Sequence, residues 1–301
     1  MPRWSAGAAR CAYARGMPLE HAQLYISDPT LGDLELDAVV AGADDGEPVL
    51  LLHGWPQTSL SWAGVMAPLA SSGLHTVAPD QRGYSPGARP REVSAYELPH
   101  LVDDAAAVIG ALGWESAHVV GHDWGAVVAW ALAAQRPHLV RSLTAVSVPH
   151  PRAFNAALRS DPGQLKKSAY MVLFRNAPGK AAQVLLRDGA RKLRDVYGDA
   201  VAHHDVDSYV EFFSDDDAME ASLRWYAAMD GDHFKDIDVV EVPTTFVWGD
   251  DDVAIGGTAA RSCSEWCHGP FEFRTLPGRG HWIPDQDPDA LVDAILARVK
   301  P

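Results

Sequence analysis

Cysteine is scarce in this 301-residue chain: Cys11, Cys263 and Cys267 are all it has. An odd count that small builds no disulfide framework and points to a reducing compartment, the cytoplasm. The stretch CSEWCH has no second ligand pair elsewhere. Cys263 and Cys267 are therefore expected one turn apart on a helix face rather than around a metal. Positive charge is also short. Lys and Arg number 25 against 40 Asp and Glu, a formal charge of −15. That excess of acid argues against nucleic acid or an anionic membrane as a partner through net electrostatics. No apolar run approaches the ~18–20 residues that span a bilayer. A Gly-x-Gly-x-x-Gly turn after the first strands, a phosphate-binding loop, internal repeats and low-complexity tracts are all missing, which sets a dinucleotide-binding enzyme aside. The opening residues, MPRWSAGAARCAYARGM, are rich in Arg and Ala but lack the apolar block of a secretory signal. Residues 1–16 are expected to be a disordered tail or a misassigned start.

What remains is an ordinary globular composition, 47% apolar and 22% charged, long enough for one large domain or a core with an insertion. HAQLYI and LELDAVVAG read as two strands joined by a turn. PVLLLHG is a continuous apolar run, as a strand buried on both faces is; AHVVGH reads as another buried strand and VPTTFVWG as a strand. HTVAPD, LVRSLTAVSVPH and FEFRTL add three more strands. Helical spacing separates them, in ELPHLVDDAAAVIGALGW, WGAVVAWALAAQ and a final DPDALVDAILARVK with Asp287 at its start. Alternation of this kind predicts an α/β fold: a mostly parallel eight-stranded sheet with helices on both faces. Residues 17–149 and 236–301 carry that pattern. Residues 150–235 do not; they are helical in spacing, acidic in places, and read as an insertion.

One turn within this framework carries chemistry. VVGHDWGAVV passes from strand to helix through Gly121, His122, Asp123, Trp124 and Gly125. Glycines on both sides of Asp123 permit a tight, strained turn that holds the side chain out at the top of the sheet, the geometry of a nucleophile elbow. A helix starts at once, so backbone N–H groups favour negative charge there. An aspartate before a helix also makes a good N-cap, but a cap needs no flanking glycines. In chain order nucleophile, acid, base, an acid is expected in WGDDDVAIGG and a base in LPGRGHWIPDQDP. The base is His281. Asp250, Asp251 and Asp252 compete as the acid, and the spacing from Gly249 favours Asp252.

Taken together, HGWP (His53–Pro56), GHDWGA, WGDDD and GRGHW resemble the four loop motifs of the α/β-hydrolase family, over nearly the whole chain from about residue 18. The resemblance implies an inserted helical lid at residues 150–235 and an oxyanion hole from the backbone N–H groups of Trp55 and Trp124. It gives His53 and His122 structural roles. An aspartate at the elbow selects a branch: a carboxylate attacks saturated carbon and leaves an alkyl ester on the enzyme. Water activated by His281 then hydrolyses that ester.

The chain is most similar to the epoxide hydrolases, in which two lid tyrosines donate to the ring oxygen. SAYMVLFRNAPG and SLRWYAAM resemble their lid motifs and assign Tyr170 and Tyr226, with Tyr197 and Tyr209 as reserves. In the first motif Pro-Gly comes one residue late and the glutamate that usually follows is missing. The implied reaction converts a small-molecule epoxide to a vicinal diol, with no cofactor and no metal, in a monomer or homodimer. The alternative is a haloalkane dehalogenase using the same triad, with the indole N–H groups of Trp124 and Trp55 holding halide.

Overall fold

A computed structural model describes residues 4–11, 19–215, 217–229, 234 and 237–299. The eight strands expected from the sequence are present: β2 (Leu19–Asp28), β3 (Gly32–Ala41), β4 (Glu47–Leu52), β5 (Leu74–Pro79), β6 (Ala117–His122), β7 (Val140–Val146), β8 (Thr244–Gly249) and β9 (Phe271–Leu276). A ninth, β1 (Trp4–Cys11), takes up part of residues 1–16, the stretch expected to be a disordered tail or a misassigned start; the rest of that stretch lies outside the described residues. Strand β1 pairs antiparallel with β2, from Trp4 opposite Leu24 to Cys11 opposite Leu19. The outer edge of β2 offers backbone N–H and C=O groups to any extended neighbour, and no apolar periodicity is needed for that pairing. The sheet order is β1-β2-β3-β5-β4-β6-β7-β8-β9. The ladders from β1 through β3 to β5 are antiparallel; those from β5 to β9 are parallel.

The apolar runs read as they do because both faces of the parallel strands are covered. In β4, Val49 and Leu51 belong to one core cluster, and Leu50 and Leu52 to the other. The first cluster packs beneath α1 (Ala63–Ser71) and the C-terminal helix α12 (Pro288–Val299). The second packs beneath α2 (Leu98–Ala111) and α3 (Trp124–Gln135). Helix α3 is buried all round from Trp124 to Ala133, so it shows no amphipathic stripe. Asp287 does stand at the start of α12, where its side chain accepts from the Ala290 N–H.

Between β7 and β8 the chain forms α4 (Pro151–Ser160), α5 (Pro162–Lys167), α6 (Met171–Asn176), α7 (Pro178–Tyr197), α8 (His203–Phe213) and α9 (Ala218–Ala227). Helix α7 breaks at Asp188, Gly189 and Ala190, all at positive φ. Two short helices, α10 (Gly257–Arg261) and α11 (Ile283–Gln286), lie in the core after β8 and β9. Among the described residues, no helix is long and apolar enough to cross a membrane. The order β5-β4-β6 makes the β4–β6 boundary a point where successive connections leave in opposite directions. Such a point opens a crevice at the carboxyl ends of the strands.

Candidate active site

Asp123 stands in that crevice, directly after β6. Its backbone sits at φ 51°, ψ −117°, a conformation side chains rarely adopt. Such strain costs on the order of 1–3 kcal/mol and persists only where surroundings enforce it. They do so here. A Cβ on Gly121 would meet the Gly125 carbonyl oxygen at 2.3 Å, and one on Gly125 would meet the Leu52 carbonyl oxygen at 2.0 Å. No side chain fits at either place, so strand, elbow and helix close on one another through bare backbone.

The two carboxylate oxygens of Asp123 face different partners. Oδ1 accepts from the Trp55 backbone N–H at 2.8 Å. Oδ2 lies 3.4 Å from His281 Nε2. The Trp124 backbone N–H also donates to the carboxylate. Burial alone would raise the Asp123 pKa, but its contacts with His281 outweigh burial and hold it below the usual value. His281 is the mirror case. Burial would lower it, but the Asp252 and Asp123 carboxylates raise it to about 10. The resting pair is thus carboxylate and imidazolium.

His281 Nδ1 is 2.9 Å from Asp252 Oδ2. The other oxygen of Asp252 accepts from the N–H groups of Ala254 and Ile255, at 2.7 and 2.9 Å. Of the three consecutive acids, then, Asp252 faces the histidine. Asp250 turns away to accept from the Gly278 N–H at 2.6 Å, and Asp251 lies along the cavity mouth. The backbone of His281 is fixed as well. Its carbonyl accepts from Ser147 Oγ at 2.7 Å, His122 Nε2 at 2.9 Å and Ile283 N–H at 3.0 Å. Burial lowers the His122 pKa to about 4, so the ring is neutral, with the proton on the nitrogen facing that carbonyl. His53, also lowered to about 4 by burial, accepts from the Gln81 N–H at Nε2 and supports the turn before Trp55.

A cavity of about 660 Å³ opens over Asp123, walled by Trp55, Tyr170, Phe174, Tyr226, His281 and Trp282. A narrower recess of about 50 Å³, lined by apolar groups such as Val127, Phe154 and Met229, leaves Asp123 on the other side. Both tyrosines suggested by the lid motifs border both spaces. Their rings are 6.1 Å apart, and the Tyr226 ring lies 5.1 Å from Trp124. Tyr226 is buried, whereas Tyr170 keeps 39% of its surface exposed toward the mouth. The hydroxyl end of Tyr170 is nevertheless the buried end, and that burial first, then the nearby charge of Asp123, pushes the hydroxyl well above its ordinary pKa. Burial, Tyr170 and Asp123 do the same for Tyr226.

The reserve tyrosines are engaged elsewhere. Tyr197 reaches the cavity wall but donates to the Pro56 carbonyl, and Tyr209 lies 3.3 Å from Gln57 Nε2. Sequence reasoning missed the groups behind the site. Gln57 donates to Asp285 at 2.9 Å, beneath the Trp55–Pro56 turn. Gln164 and Lys167 reach from α5 to the loop that holds Asp252. Gln57 directly follows HGWP and Lys167 directly precedes SAYMVLFRNAPG, whereas Gln164 stood beside no recognisable motif.

The comparisons with known proteins agree with this geometry. A family model described as the alpha/beta hydrolase fold matches residues 47–178. The AB hydrolase superfamily protein YfhM of Bacillus subtilis is 31% identical over 274 residues, covering 89% of this chain and 95% of that protein. Epoxide hydrolase A of Mycobacterium tuberculosis is 28% identical, covering 86% of this chain and 92% of its own. Among solved structures, a variant epoxide hydrolase from Bacillus megaterium, complexed with its product, superposes with a TM-score of 0.81 at 25% identity, over 93% of this chain and all of that one. With a fold, an elbow and relatives that coincide along nearly its whole length, the chain belongs to the α/β-hydrolase superfamily.

Proposed function

We propose that this protein is an epoxide hydrolase that forms a covalent ester on Asp123 and releases a vicinal diol. The observation that carries the reading is the division of labour at one carboxylate. Oδ1 is occupied by a backbone donor, while Oδ2 and the cavity meet beneath two tyrosines. A serine in that place would attack a carbonyl; an ionised carboxylate attacks a strained C–O carbon. Relatives named as epoxide hydrolases support the same substrate class.

In this mechanism Oδ2 attacks a ring carbon and the ring C–O bond breaks. The departing oxygen takes a proton from Tyr170 or Tyr226. Asp123 is now a neutral ester, so His281 loses one of its two anionic partners. The proton it sheds restores the tyrosine, and the neutral imidazole removes a proton from water. Hydroxide adds to the ester carbonyl. Negative charge collects on Oδ1, which the Trp55 N–H already contacts and which the Trp124 N–H joins in stabilising. Collapse expels the diol oxygen, which takes its proton from the new carboxylic acid. Asp123 and His281 return as carboxylate and imidazolium, and the sum is epoxide plus water to diol. Helices α4–α9 act as a lid that supplies the tyrosines and keeps bulk water from the ester. We assign residues 150–235 to that lid, and residues 17–149 and 236–301 to the core.

One observation favours a haloalkane dehalogenase instead: the Trp55 indole N–H is buried in the cavity wall with no partner among the described residues. Two tyrosines bordering the cavity that opens on Asp123 suit a leaving oxygen that stays on the substrate, which is why the epoxide reading is preferred. Turnover of styrene oxide and 1-bromobutane, following diol and bromide with wild type and Asp123→Asn, separates the two. Diol that disappears in the variant is expected. Bromide release without diol would move the assignment to the dehalogenase.

A further inference from the structure

The loop carrying Asp252 is held from two sides, and one of them belongs to the inserted helices. On the inner side, the Ala254 and Ile255 N–H groups bind Asp252 Oδ1. On the outer side stands Gln164, wholly buried although it sits on α5, whose other residues are mostly exposed. Its Oε1 accepts from the Gly256 N–H at 2.7 Å, and its Nε2 donates to the Ala254 carbonyl at 2.8 Å. A third bond, to Ser168 Oγ at 3.0 Å, fixes the plane of the amide. The carboxamide thus pairs with this stretch as a neighbouring strand would, one acceptor and one donor against backbone two residues apart. Lys167 adds a bond from Nζ to the Asp252 carbonyl at 2.6 Å.

We propose that Gln164 is a positioning residue for hydrolysis of the ester on Asp123. It fixes residues 254–256, and through them the carboxylate that orients His281. The inference rests on the epoxide-hydrolase reading and adds a role for α5 beyond walling the cavity. The physical basis is the chain of contacts from Gln164 to the Ala254–Gly256 backbone, to Asp252 and to His281 Nδ1, with each bond 2.9 Å or shorter. A buried amide with both ends satisfied has one orientation, and so has the loop it grips. Glutamine fits because only a carboxamide presents donor and acceptor side by side; a carboxylate sets negative charge against the Ala254 carbonyl.

Because Gln164 acts through Asp252, it bears on the second chemical step and not on the first. Attack by Asp123 needs the elbow and the tyrosines; hydrolysis needs an oriented neutral His281. The test separates the steps by rapid quench with styrene oxide, reading alkyl-enzyme by intact-protein mass and diol by chromatography. In Gln164→Leu, alkylation is expected within about twofold of wild type, while ester hydrolysis slows on the order of 10- to 100-fold and the adduct accumulates. Gln164→Met keeps the side chain's length without burying a charge, guards against a folding failure in the leucine variant, and is expected to show the same split between the two steps. If both steps fall in proportion to folded protein, or neither changes, the positioning role is overturned while the enzyme reading stands. If wild type forms neither adduct nor diol across a panel of epoxides, the enzyme reading fails and takes this role with it.

Discussion

Replacing Asp123 by Asn should change the proton affinity of His281 by an amount the structure sets. The two side chains approach to 3.4 Å in a buried site. At an effective dielectric constant of about 20, unit charges at that distance attract by roughly 5 kcal/mol. At about 1.4 kcal/mol per pH unit, that is roughly 3–4 units. His281, held at about 10 with both carboxylates beside it, should therefore titrate near pH 6–7 in the variant, by roughly the same Coulomb estimate. Burial works in the same direction once the charge is gone. Esterification of Asp123 removes the same charge, so alkylation itself would convert His281 from imidazolium to a base poised near neutral pH. The assay is an NMR titration of the His281 ring in wild type and Asp123→Asn, alongside diol formation from styrene oxide. If the imidazole titrates within about one unit of wild type, the Asp123 charge is not what holds the proton, and the proposed trigger for the second step is refuted.

Four further outcomes are expected. The raised His281 pKa stabilises the fold fully below pH 6.5, and that contribution fades as pH rises toward 10; denaturant titrations should show wild type losing stability over this window while Asp123→Asn stays flatter. Tyr226→Phe should lower styrene oxide turnover by about 100-fold with the fold intact, Tyr170→Phe should act alike, and a double variant at wild-type rate would remove both from the reaction. Gly125→Ala should destabilise by about 3 kcal/mol or more, because its Cβ meets Leu52 backbone that cannot move aside. Gly110→Ala, in α2 with open space around it, should stabilise by about 0.5–1 kcal/mol; thermal melts of the pair check both.

Much of this molecule was legible in its residues because the relevant signals are local. Val49 to Leu52, Ala117 to His122 and Thr244 to Gly249 are buried throughout and mostly apolar because parallel strands are covered on both faces, a demand that acts residue by residue. The elbow at Asp123 was readable for a similar reason: its two glycines stand within five residues of each other, although the clash that forbids a side chain on Gly125 comes from Leu52 on a neighbouring strand. The chain order of nucleophile, acid and base followed from the order of the strands that carry them. Other features depend on partners far along the chain. Asp250, Asp251 and Asp252 are chemically alike, and only the loop's path turned Asp252 toward His281, 29 residues away. Residues 4–11 joined the sheet through backbone pairing with β2, which leaves no side-chain periodicity to read. Gln164 looked like any polar residue on a surface helix until Ala254 and Gly256 were brought against it, about 90 residues on in sequence. Periodicity and turn chemistry are written into short stretches of chain; the direction a side chain takes, and the partner that satisfies it once water is gone, exist only when distant segments have packed.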